Sequence, residues 1–343
     1  MLFRSLLWLL TIPMSMALFA VIPRLVPPTI SSLSTQSSSS KLMTGFSENV
    51  RLDEFAPVLQ SDDLVLNVRA IDGWGHPASL PDDFLWRGMV FTQYLNRAWN
   101  ATPPYELQGS VRTWPETPPS VSSAVVRFYV DQETPTDNTV ISPNGLLWAR
   151  CNQTDYVAAY AAPDDRVKLL GRRRADEPRR RTLSFLMFAE RESAARELKA
   201  SRETSQTYLS LASTMPPGFA KLRELGTRLT AGLPSDDVDG RIRRIEEYLS
   251  DPKEFHYTLD LQRKDSMIDP VEDFLFNTRQ GHCEYFASAS ALLLRSVGVP
   301  ARVVNGFKGA EWNELAGVYQ VRQRMAHSWV EAYVRGNWRT VDP

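Results

Sequence analysis

At 343 residues, with 43% hydrophobic and 23% charged side chains, the sequence has room for two domains of ordinary size and enough apolar content to bury a core. Thirty-nine basic residues against forty acidic ones leave a formal charge of -1, which excludes a global field that would draw in nucleic acid. Two cysteines, Cys151 and Cys283, and four histidines supply neither a disulfide framework nor a zinc-ligand spacing, so no metal or other cofactor is expected.

Residues 5–23 carry no charge, and at helical rise they reach roughly 28 Å, close to the thickness of a bilayer core. Residues 1–23 are therefore expected to form a transmembrane helix. The apolar run is long for a cleaved signal, so it reads as a retained anchor at the cell membrane with the rest of the chain extracytoplasmic. Residues 24–45 are rich in Pro, Ser and Thr and read as a tether. Over 46–205, short runs with β-branched or aromatic residues at 64–71, 84–92, 123–130, 145–150, 155–161 and 182–190 alternate with turn signals and predict a mainly β domain of sandwich type. Six arginines between 172 and 181 interrupt it and read as a solvated hairpin loop.

The pattern then becomes helical. Val238, Ile242, Ile245 and Leu249 recur on one face after the start signal at 234–236, and a short helix fits 271–277 behind Pro270. Residues 283–296 are small and apolar and sit between Gly281 and Gly298, which predicts a buried helix with Cys283 at its start. Runs at 301–306, 318–322, 327–334 and 338–341 predict antiparallel strands. Residues 206–343 are thus α+β.

A cysteine attacks as a thiolate, and a helix N-terminus favours that anion; a nearby imidazolium would lower the thiol pKa further. His327 lies on a predicted strand whose alternation groups it with Trp329 and Glu331, while Ser328, Val330 and Ala332 face the other way. Asp342 ends the next strand, where a carboxylate could fix the His327 tautomer and hold its charged form. Cys151 reads as a packing cysteine. His282 reads as a solvated or capping residue and Glu284 as a first-turn acid favoured by the helix dipole.

The stretches GHCEYFASASALLLRSVGVPARVVNGF and MAHSWVEAYVRGNWRTVDP resemble the nucleophile helix and the His and Asp strands of the transglutaminase-like superfamily, in particular its membrane-anchored bacterial protein-glutamine gamma-glutamyltransferase branch. GFSENVRLDEF and LWRGMVF are similar to the membrane-proximal region of that branch. The resemblance implies a papain-like transglutaminase core over 206–343, with Cys283 as nucleophile, His327 as base and Asp342 as the orienting acid. It also implies acyl transfer from protein glutamine to an amine through a thioester. The Cys283 N–H would hold the oxyanion, with Tyr257 as a candidate second donor. The partners expected are a protein or peptide substrate and the membrane, with no nucleic acid. The branch usually carries several membrane helices before this region, whereas this sequence shows one apolar segment and ends one residue past Asp342, as a piece of a longer chain would.

Animal transglutaminases place Trp beside the nucleophile where this chain has Glu284, so amine transfer does not carry over from them directly. Two alternatives therefore stay open: an extracytoplasmic cysteine peptidase or amidase acting on peptides, and a catalytically inactive membrane-tethered binding module.

Overall fold

The computed structural model of the chain describes residues 49–52, 61–101, 111–118, 125–133, 139–161, 166–171, 182–190, 197–199, 206–261 and 267–343. The expected membrane helix, the tether and the arginine run at 172–181 lie outside the described residues. Among the described residues, no helix is long and apolar enough to cross a membrane.

In chain order the strands of the first part are β1 (Asn49–Arg51), β2 (Leu64–Ile71), β3 (Leu85–Leu95), β4 (Ala98–Ala101), β5 (Val111–Thr113), β6 (Val125–Glu133), β7 (Thr139–Val140), β8 (Ser142–Pro143), β9 (Leu146–Cys151), β10 (Tyr156–Ala161), β11 (Arg166–Gly171), β12 (Thr182–Glu190) and β13 (Glu197–Lys199). The six runs expected from alternation are all strands here. Leu66, Val68 and Ala70 of β2 and Phe128 and Val130 of β6 supply the buried faces that the alternation anticipates.

The second part opens with α1 (Gln206–Ser213), α2 (Ala220–Leu229) and α3 (Val238–Leu249), of which the sequence reading anticipates α3 alone. Asp237 caps α3 by accepting from the Gly240 N–H at 2.8 Å. There follow β14 (His256–Tyr257), α4 (Pro270–Asp273) running into a π-helical turn at Phe274–Thr278, β15 (Gln280–Gly281) and α5 (Cys283–Ser296). The chain closes with β16 (Ala301–Lys308), β17 (Glu311–Asn313), β18 (Val318–Arg322), β19 (Ala326–Val334) and β20 (Asn337–Val341).

Composition divides the chain near residue 205, but the sheets run across that line. The central sheet has the order β1-β4-β3-β16-β19-β20-β13, so strands from before residue 205 flank three from after 300. A second sheet, β17-β18-β2-β6-β12-β9, mixes the two parts in the same way, and residues 44–343 pack as one compact unit. At the junction, Gly306 of β16 lies against β3 so closely that a Cβ there would meet the Trp86 carbonyl oxygen at 1.9 Å. Only glycine permits that approach.

Helix α5 lies on β16 and β19 and is covered by α2 and α3. Its residues are buried without a break from Cys283 to Arg295, as expected of a helix that is apolar on every side. Its far end is held by Arg295, whose guanidinium donates to the carbonyls of Ala301, Thr92 and Thr214 at 2.6, 2.7 and 3.0 Å.

Beneath the sheet lies a buried ion cluster. The Glu331 carboxylate of β19 accepts from Arg87 Nε and Nη2 of β3, both at 2.9 Å, and from Arg302 Nε of β16 at 2.7 Å. Arg302 also lies 3.9 Å from the centre of the Trp338 ring, on β20. Burial works against the charge on Glu331, but the two guanidiniums hold its carboxyl below the usual range. Glu331→Gln preserves the volume and leaves two buried cations facing a neutral amide. It is expected to lower the unfolding free energy by about 3–5 kcal/mol in urea titrations.

Candidate active site

Cys283 is the first residue of α5, behind the N-cap His282. The approach to it is shaped by the parallel pairing of Tyr257 with Gly281. The His256 N–H donates to the Arg279 carbonyl and the Thr258 N–H to the Gly281 carbonyl, each at 2.9 Å. Arg279 takes a left-handed φ of 51° to turn the chain out of the π-helical segment. This hook delivers Tyr257 to Cys283. Its ring is 60% exposed and stacks on Phe286 with centroids 6.4 Å apart. Its hydroxyl reaches the main-chain N–H and the sulfur of Cys283. Burial of the hydroxyl, followed by the nearby Cys283, raises the phenol pKa, so Tyr257 is a neutral donor at physiological pH.

His327 and Asp342 meet as the strand spacing requires. The β19–β20 register pairs Val330 with Val341, and one further step sets Asp342 opposite Trp329, diagonal to His327 on the same face. His327 Nε2 is 2.8 and 3.0 Å from the two Asp342 oxygens, and the imidazole stacks on Trp329. With Nε2 bonded to the carboxylate, Nδ1 is the ring nitrogen left for proton transfer. Burial opposes ionisation of Asp342, but the bonds from His327 and Lys308 hold its carboxyl below the ordinary value. Cys283, His327, Asp342 and Tyr257 all line one cavity of about 390 Å³, whose apolar wall includes Leu249, Phe255 and Phe286.

Other residues differ from expectation. Cys283 was expected to carry a lowered pKa. Burial instead pushes the thiol up to about 12, with the Glu284 charge adding to that effect, against hydrogen bonds from Ser328 and Tyr257. Glu284 is a fully enclosed acid, 2% exposed, whose Oε1 accepts from Asn305 Nδ2 at 3.2 Å. His282 is neither solvated nor a side-chain cap; it is 2% exposed and its Nε2 lies 3.1 Å from the Leu52 carbonyl oxygen. Burial lowers its pKa to about 4, so it is neutral. Cys151, by contrast, is buried as a packing cysteine should be, with its sulfur 3.2 Å from Gln153 Oε1.

The sequence reading misses Lys308, whose Nζ donates to Asp342 Oδ2 at 2.6 Å, and the pair Ser328 and Asn305. Ser328 Oγ donates to Asn305 Oδ1 at 2.8 Å and also reaches the Cys283 sulfur. The available signal was an isolated amide, Asn305, within the buried run of β16.

A cysteine at a helix start that lines one cavity with a His–Asp pair at the ends of antiparallel strands is the arrangement that a transglutaminase-like resemblance implies. Residues 223–343 match the transglutaminase-like superfamily and residues 3–145 the TgpA N-terminal domain. The chain thus joins a region that matches a transglutaminase-like domain to one that matches a TgpA N-terminal domain. It is 27% identical over 343 residues, 98% of its own length, to a protein-glutamine gamma-glutamyltransferase of Pseudomonas aeruginosa, of which it spans 45%. It is 33% identical over 144 residues to the uncharacterized protein YebA of Bacillus subtilis, covering 40% of this chain and 19% of YebA. The crystal structure of the periplasmic domain of TgpA from Pseudomonas aeruginosa superposes with a TM-score of 0.65 at 25% identity, over 88% of this chain and 94% of that one.

The lowered Asp342 pKa carries a stability signature. Its ion pairing stabilises the fold above the unfolded carboxyl value, about 3.9, and that contribution is lost as pH falls through the lower folded value. Asp342→Asn is therefore expected to be less stable than the parent at pH 7, with the gap closing only in strong acid. Urea midpoints for the two proteins, taken from pH 7 down to pH 2.5, measure it.

Proposed function

We propose that the chain carries the catalytic part of an extracytoplasmic transferase that moves the acyl group of protein glutamine to an amine, with residues 206–343 as the catalytic domain and residues 1–23 as its membrane anchor. The observation that carries the reading is the single cavity shared by Cys283, Tyr257 and the bonded His327–Asp342 pair. The periplasmic origin of the TgpA domain supports the location.

Because burial leaves the Cys283 thiol protonated at rest, His327 takes its proton as sulfur attacks the glutamine carboxamide carbon. The S–C bond forms and the carbonyl oxygen becomes an oxyanion. The Cys283 N–H and the Tyr257 hydroxyl, which contact each other at rest, turn to donate to it. The C–N bond then breaks, and ammonia leaves with the proton held by the imidazolium. Asp342 stabilises that imidazolium in both half-reactions. An acceptor amine attacks the thioester and gives its proton to His327; the new amide forms and the sulfur leaves as a thiol again. Water in place of the amine would yield glutamate.

The test is incubation of the chain with a glutaminyl peptide and a fluorescent primary amine, following amide product, ammonia release and the thioester by mass spectrometry. Product is expected from the parent and none from Cys283→Ala. Tyr257→Phe is expected to lower kcat by about 100-fold with KM little changed, because the lost bond is made in the transition state. A parent protein that gives no product, ammonia or thioester across a panel of glutaminyl proteins would sink the reading.

A further inference from the structure

Lys308 lines the Cys283 cavity, yet the proposed reaction gives it no role. It is the last residue of β16, and its backbone is held from the side of β3. Lys308 pairs with Leu85; the Gly309 N–H donates to the Phe84 carbonyl at 2.8 Å, and the Gly309 carbonyl accepts from Trp86 Nε1 at 3.2 Å. Phe84 and Trp86 are both buried, so the seat of Lys308 belongs to the core. From this seat its Nζ donates to Asp342 Oδ2 at 2.6 Å. Strand β19 runs between β16 and β20, so the ion pair passes across the start of β19, where His327 stands opposite Gly306. By register the three side chains share one face: Lys308 is two residues from Gly306, and Asp342 is opposite Trp329, two residues from His327.

The sheet alone does not fix the Asp342 side chain, because Asp342 lies beyond the last ladder pair of β19 and β20, Val330 with Val341. Its carboxylate also borders a second, smaller cavity of about 190 Å³, lined by Asp83, Glu246, Arg339 and Thr340 as well. Arg339 offers an alternative cation there, bonded to Asp239 at 2.6 Å, while Asp83 and Glu246 repel a carboxylate. Lys308 and Asp342 line both cavities, so their ion pair stands where the two meet. With side chains 39% and 20% exposed, such a pair adds little stability, and its effect is geometric. Holding Oδ2 restricts rotation of the carboxylate and keeps both its oxygens within 3.0 Å of His327 Nε2.

We infer that Lys308 is a positioning residue: seated by β3, it holds the Asp342 carboxylate on the His327 imidazole and so ties the N-terminal strands to the candidate site. The inference rests on the acyl-transfer reading for its purpose, though not for its test.

The experiment is proton NMR of the full chain carrying isotope-labelled histidine, at the low-field resonance of the His327 Nε2–H bonded to Asp342. Its loss in His327→Gln assigns it. Lys308→Met is expected to lose or strongly shift the resonance, because the carboxylate becomes free to turn, and Lys308→Arg to keep it. With a glutaminyl peptide and an amine, Lys308→Met is expected to lower kcat about 10- to 100-fold with KM near the parent value. Lys308→Arg should recover most of that loss. On an Asp342→Asn background Lys308→Met should cost nothing further, because Lys308 acts through Asp342. If Lys308→Met does not fold, Lys308→Gln is read in its place. An unchanged resonance in the folded, uncharged variant overturns the inference. A lost resonance in a protein whose parent never forms a thioester with glutaminyl proteins leaves the positioning role standing and removes the acyl-transfer reading. Thioester formation with an unmoved resonance does the reverse.

Discussion

The structure hangs on the Glu331 carboxylate and its two guanidiniums. Arg87, Arg302 and Glu331 stand on three adjacent strands, β3, β16 and β19, and the paired side chains are almost without solvent exposure. Ions so enclosed are tolerable only when each neutralises the others in good geometry. A slip of any one strand by a single residue would turn its charge to the opposite face and leave a bare ion in the core. The cluster therefore specifies register more than it adds stability. That register is what places His327 and Ser328 at the head of β19, Asn305 and Lys308 along β16, and Asp342 beyond β20.

On this frame the Cys283 thiol sits under opposing influences. The helix start and the bonds from Ser328 and Tyr257 favour a thiolate, while enclosure and the Glu284 charge disfavour it more strongly. Such a site does not store a reactive anion. In the proposed reaction the anion forms only when His327 takes the proton, so chemistry would be confined to the moment when a substrate occupies the cavity.

How much of this was legible in the sequence depends on the range of the interactions involved. Cys283, His327 and Asp342 could be nominated because each lies in a local pattern, a small-residue helix between glycines and two short alternating strands with a spacing that a hairpin can close, and the structure brings the three to one cavity. Tyr257 reaches the site through a two-residue parallel pairing that local periodicity does not encode, and its nomination came from its place upstream of the nucleophile. Helix α3 was readable from Ile242, Ile245 and Leu249 behind the Asp237 cap. Helix α2 was not; it buries only Leu222, Leu225 and Gly226, and Phe219 at its start provides no side-chain cap. The strands of the first part were found by alternation, but their partners were not. The pairing of Gly306 with Arg87 joins residues more than two hundred positions apart, and no local window contains it. The same limit hid the enclosure of Glu284, which depends on Asn305 arriving from another strand.

The pairing of β3 with β16 also bears on how such proteins can diversify. In many multidomain proteins a catalytic module can be exchanged by recombination at a linker, because few contacts cross it. Here a crossover near residue 205 would separate β16 from β3 and β18 from β2, and would expose the open edges of two sheets to the solvent. The N-terminal strands and the C-terminal strands are therefore constrained to be inherited together, and sequence change on one side of the β3–β16 seam is answerable to the residue it meets on the other.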